Sequence, residues 1–84
     1  MFALSFSSHA KKFLKKCDKG LCSRLLEKIE KLQNEPVPHD SKSIEGSRGM
    51  FRIRVGDYRV LYEVYFSENL IVIANIDKRS RVYS

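Results

Sequence analysis

The sequence predicts an α+β domain: an N-terminal strand, a helical hairpin, then a three- to four-stranded antiparallel sheet with one face on the helices. Apolar residues recur at helical spacing from Ala10 to Leu32 and alternate with period two from Met50 to Tyr65, and Pro36 separates the two regimes. With 84 residues the chain is long enough for one two-layer core and too short for two, so residues 1–84 are read as a single domain.

Phe2, Leu4 and Phe6 alternate with Met1, Ala3 and Ser5, which predicts a short first strand. Ser7 or Ser8 suits a helix N-cap. Beyond it Ala10, Phe13, Leu14 and Cys17 make one apolar stripe, with Lys11, Lys12, Lys15 and Lys16 on the outer side. Asp18 and Gly20 mark a break and a second N-terminus, after which Leu21, Leu25, Ile29 and Leu32 share a face through about Asn34. Residues 35–49 form the longest loop, with room for a short edge strand at Lys42 to Glu45.

Gly56-Asp57 then reads as a two-residue hairpin loop. That loop sets Val55 opposite Tyr58, Arg54 opposite Arg59, Ile53 opposite Val60 and Arg52 opposite Leu61. Phe51, Ile53, Val55, Tyr58, Val60, Tyr62 and Val64 therefore share one face, and Arg52, Arg54 and Arg59 the other. Ser67-Glu68-Asn69 turns the chain into LIVIANI, a run apolar on both faces, as expected of a strand inside a sheet.

The net charge of +6 and a pI near 9.6 favour an acidic partner. Half of the sixteen lysines and arginines lie in the helical first forty residues, where a solvated face accounts for them. The other half gather around the strands. No run is long enough to span a bilayer, and the N-terminal MFALSFSS lacks the basic and apolar regions of a signal peptide. Cys17 and Cys22 have neither the number for a disulfide framework nor the companions for a zinc site, and they read as core thiols of a cytoplasmic protein. Asp57, Glu63, Glu68 and Asp77 lack metal-binding spacing. His9 and His39 lie far from the arginines in sequence. Neither a metal nor a small-molecule cofactor is expected.

The candidate site is Arg52, Arg54 and Arg59, joined by Lys78, Arg79, Arg81 and Tyr83 of the tail. Arg54 directly across from Arg59 costs stability, because like charges on paired strands repel. A polyanion on that face is the simplest reason to tolerate the repulsion. Guanidinium groups grip phosphate through two parallel hydrogen bonds and stay charged at any working pH. Several of them around one phosphodiester would stabilise the extra negative charge of a pentacovalent transition state. Tyr83 would stack on a base or exchange a proton. The competing reading is a solvated basic face, with Glu63 as an ion-pair partner on it.

The order strand, helical hairpin, Lys42-Ser-Ile-Glu-Gly46, MFRIRVGDYRVLYEV and terminal DKRSRVYS resembles the RelE/ParE toxin superfamily over essentially the whole chain. The hairpin is shared across the superfamily, whereas the terminal arginines followed by Val82-Tyr83 resemble its RelE branch, whose members cleave mRNA in the ribosomal A site. The resemblance implies a RelE-like two-layer fold and a metal-independent endoribonuclease that inhibits translation. It makes Arg59, Arg79 and Tyr83 catalytic and Arg52 and Arg54 RNA-binding, and Arg81 and Lys78 of the same basic tail are read as RNA-binding beside them. The implied partners are the ribosome, its mRNA and a RelB-like antitoxin with an acidic, amphipathic segment. Two departures stand out. Arg52 and Arg54 occupy positions where the RelE pattern has lysines, which suits them to charge stabilisation rather than proton transfer, and the gap from Arg79 to Tyr83 is shorter. The alternatives are a ParE-like gyrase inhibitor of the same fold and a nonenzymatic RNA- or ribosome-binding module.

Overall fold

The computed structural model describes residues 1–44, 46 and 49–78. In chain order the elements are β1 (Ala3–Phe6), α1 (Ser8–Lys16), α2 (Lys19–Lys31), β2 (Lys42–Ser43), β3 (Met50–Val55), β4 (Tyr58–Tyr65), a 3-10 turn (Phe66–Glu68) and β5 (Leu70–Lys78). The α+β class holds, with the helix pair on one face of the sheet. Of the edge strand expected at Lys42 to Glu45, Lys42–Ser43 forms and Glu45 lies outside the described residues.

Both helices start on side-chain caps. Ser7 Oγ accepts from the Ala10 N–H at 3.1 Å and Asp18 Oδ1 from the Leu21 N–H at 2.9 Å, contacts typically worth ~1 kcal/mol each. Each helix carries two lysines in its last turn, Lys15 and Lys16 or Lys28 and Lys31, where they oppose the helix dipole. The stripe read from the sequence is the buried one: Ala10, Leu21, Leu25, Ile29 and Leu32 lie against Ile53, Val60, Tyr62, Val64, Ile71, Ile73 and Ile76. Cys17 packs beside that core, as its place on the stripe suggests.

The five strands run in the order β1-β5-β4-β3-β2. The hairpin register is the expected one, Val55↔Tyr58, Arg54↔Arg59, Ile53↔Val60 and Arg52↔Leu61. Gly56 has φ +59 and Asp57 has no positive φ, the signs of a II′ turn with glycine first.

In two respects the sheet differs from the expectation: it has five strands, and β1 joins β5 in parallel, Ala3↔Leu70 to Phe6↔Ile73. Alternation in Phe2, Leu4 and Phe6 says which side faces the core, but nothing local encodes a partner nearly seventy residues away. A parallel pair needs a crossover, and here the helices and three strands supply it.

The register between β4 and β5 shifts between Leu61, paired with Asn75, and Tyr62, paired with Ile73, leaving Ala74 as the extra residue of a bulge. Strict alternation from Ile71 and Ile73 would send Asn75 and Asp77 into the core and Ile76 out. With the bulge, Ile76 is fully buried and Asn75 and Asp77 join the face away from the helices. The Ala74 carbonyl accepts from Ser7 Oγ at 2.6 Å. Deleting Ala74 leaves a regular alternating strand with the same residues inside. The shortened protein should therefore fold, at a cost of about 1 kcal/mol for the lost Ser7 bond, as a thermal melt would show.

Tyr62 is buried at the centre of β4, stacked on Phe51 at 5.8 Å and donating from its hydroxyl to the Pro36 carbonyl at 2.8 Å. Burial pushes its phenol up to about 12, with the Asp40 charge adding to the rise and Ser41 opposing it. Because the folded value exceeds the unfolded one, this contribution to stability is complete below pH 10 and is lost as pH rises through 12. Tyr62→Phe should cost about 1 kcal/mol at neutral pH for the lost hydrogen bond. Urea titrations along the pH scale should show the wild-type advantage shrinking above pH 10 and reversing well before 12.

Candidate nucleic-acid interface

Cross-strand pairing builds the face away from the helices in rows. Nearest the hairpin turn, Arg54, Arg59 and Asp77 stand side by side on β3, β4 and β5. The next row is Lys42, Arg52, Leu61 and Asn75, and the one after it Met50, Glu63 and Val72. Cations therefore crowd the turn end. At the other end the Tyr65 hydroxyl donates to Glu63 Oε2 at 3.0 Å, and this bond to the carboxylate raises the phenol's pKa.

The three strand arginines share this face as expected, yet they are not equally open. Arg54 is exposed, Arg52 half-buried, and Arg59, on the middle strand, is only 1% exposed. A shielded guanidinium is held in a fixed place, and a phosphate reaches it only after its cover moves. Asn75, beside Leu61, has a buried Oδ1 with no hydrogen-bond partner among the described residues. Lys78 pairs with Tyr58, so it belongs to the row on the helix side and stands apart from the arginines at an exposed strand end. Arg79, Arg81 and Tyr83 lie outside the described residues.

Sequence reasoning missed two members of the face. Lys42 sits opposite Arg52, a second like-charge pair, and its place depends on a two-residue edge strand that carries no periodic signal. Asp77 sits opposite Arg59, and only the bulge puts it there. An acid beside Arg59 offsets part of the Arg54 repulsion. Arg54→Thr relieves that repulsion at an exposed site. It should leave stability unchanged or raise it by about 0.2–1 kcal/mol, as denaturant titration would show.

His9 and His39 are exposed, His9 on α1 and His39 in the loop after α2, and neither belongs to these rows. Near His39, Asp40 forms an ion pair with Lys28 that holds its carboxyl below the ordinary value. Among the described residues no three His, Cys, Asp or Glu side chains gather as a metal site, and no helix is long and apolar enough to cross a membrane.

Fold and face thus define a class, a small α+β protein with helices on one side of its sheet and arginines crowded on the other. The ParE toxin of type II toxin–antitoxin systems is the family whose pattern matches, over residues 4–83. A protein of Methanocaldococcus jannaschii named a RelE1 toxin is 31% identical, across 98% of this chain and 94% of its own. A chain of the archaeal RelE–RelB complex from Pyrococcus horikoshii superposes with a TM-score of 0.84 at 32% identity, over 95% of this chain and 97% of that one. The isolated E. coli RelE toxin gives the same TM-score at 22% identity, over 99% and 92% of the two chains, a likeness of fold. The chain belongs to the RelE/ParE toxin superfamily of type II toxin–antitoxin systems and is RelE-like within it.

Proposed function

We propose that this toxin is a metal-independent endoribonuclease that cuts mRNA on the translating ribosome and so blocks translation in the cytoplasm. The observation that carries the reading is the crowding of Lys42, Arg52, Arg54 and Arg59 on one sheet face in two like-charge pairs. A polyanion laid along this face would meet all four cations at once. In this reading the ribose 2′-OH attacks the adjacent phosphate and the 5′-oxygen leaves. Arg59 and Arg79 hold the phosphate as charge develops on it, Arg52, Arg54 and Arg81 hold flanking RNA, and Tyr83 stacks on a base or moves a proton, whereas Lys78, on the helix side, has no part on this face. The ribosome supplies the alignment, which suits an enzyme with few acid–base groups on this face.

A neutralising RelB-like antitoxin is part of the proposal. Its support is the P. horikoshii relative, whose structure is a RelE–RelB complex. Acidic side chains of such a partner would meet the arginine face and exclude RNA. A second reading, a gyrase-directed toxin, has behind it the ParE description of the matching family. Induced expression separates the two: transcript loss with blocked translation is expected, whereas DNA damage with intact transcripts would favour the second.

A further inference from the structure

We propose a second RNA-backbone site in the cleft between α2 and the β3–β4 turn, where RNA leaving the arginine face passes around the free edge of β3. The inference rests on the RNA reading above and extends it to residues outside that face. β2 pairs only with Phe51 and Arg52 of β3, so among the described residues no strand lies beside the outer edge of Ile53 to Val55. At that rim a cleft of about 300 Å³ is lined by Arg54 from the sheet and by Arg24, Lys28 and Lys31 from α2. The three helix cations fall at i, i+4 and i+7, hence on one side of α2. The Arg24 side chain reaches the turn: a Cβ built on Gly56 would lie 3.9 Å from Arg24 Nη1.

Glu27 is the acid in the lining, and Lys28 is also ion-paired with Asp40, so Arg24, Lys31 and Arg54 carry most of the cleft's positive charge. Cations at a bare strand edge also deter edge-to-edge pairing, but that role does not require three of them to converge from the helix layer. An acidic protein segment is the other polyanion to weigh. Protein interfaces draw their strength from buried apolar anchors, and among the described residues Val55 is the one large apolar side chain lining this cleft. Through Arg54 the cleft continues into the row of Arg52 and Lys42. A phosphodiester chain following these cations needs no apolar anchor.

The test is fluorescence anisotropy of the full-length protein with an unstructured oligouridylate, over a series of salt concentrations, with poly-glutamate as the second probe. Arg24→Gln with Lys31→Gln, both exposed positions, should weaken RNA binding about tenfold and lower the slope of log K against log salt by roughly 1.4. Glu27→Lys should tighten binding and steepen the slope by roughly 0.7, a gain that misfolding cannot produce. Wild-type affinity and slope in both variants would overturn the cleft site and leave the RNA reading standing. Failure of the wild-type protein to bind RNA would overturn both. Loss of poly-glutamate binding with RNA binding intact would make the cleft a protein site and overturn the proposal.

Discussion

Arg59→Leu is expected to abolish cleavage and spare the fold. Arg59 is 1% exposed on the middle strand, between Arg54 and Asp77. Leucine is shorter than arginine, yet the change removes the like charge beside Arg54 and an ion that had to be desolvated, and these gains offset the lost packing. On the proposed reading the same change removes a donor to the scissile phosphate, a loss commonly of about 10²–10³ in rate. Thermal melts should therefore stay near wild type while single-turnover cleavage falls by that factor. A variant that melts much earlier would show that Arg59 is structural.

Leu25→Ala is the complementary change, expected to damage the fold and spare the chemistry. Leu25 is fully buried midway along α2, within the stripe that closes the helix layer onto the sheet. Truncating such a side chain typically costs about 2–5 kcal/mol, set against a total of roughly 5–15 kcal/mol for a domain. The melting temperature should drop by on the order of 10–30 °C. At low temperature, cleavage per folded molecule should stay near wild type, because the residue lies on the opposite side of the sheet from the arginines. Together the two variants separate what the two faces do.

How much of this was legible in the sequence depended on how local the signal is. The helical stripe, the Asp18 restart and the hairpin register are set by neighbours within a few residues, and each stands where periodicity and turn chemistry put it. The shared face of Arg52, Arg54 and Arg59 follows from that register. The parallel β1–β5 pair is set by closure of the whole chain, which leaves no local trace. The Ala74 bulge hid behind a run apolar on both sides, and with it went the place of Asp77 beside Arg59. Burial of Arg59 was equally hidden, since alternation assigns a side but not what covers it. The tail residues Arg79, Arg81 and Tyr83, read as site residues from their charge, chemistry and the resemblance, lie outside the described residues.

The most direct test of the arginine face as a ribonuclease site is in-frame cleavage of ribosome-bound mRNA, mapped by primer extension without added metal beyond what keeps the ribosome intact. Wild-type protein should cut, and so should His9→Ala and His39→Ala, while Arg59→Leu and Arg79→Ala should not. Cutting that survives both arginine changes, or that depends on either histidine, would contradict the account.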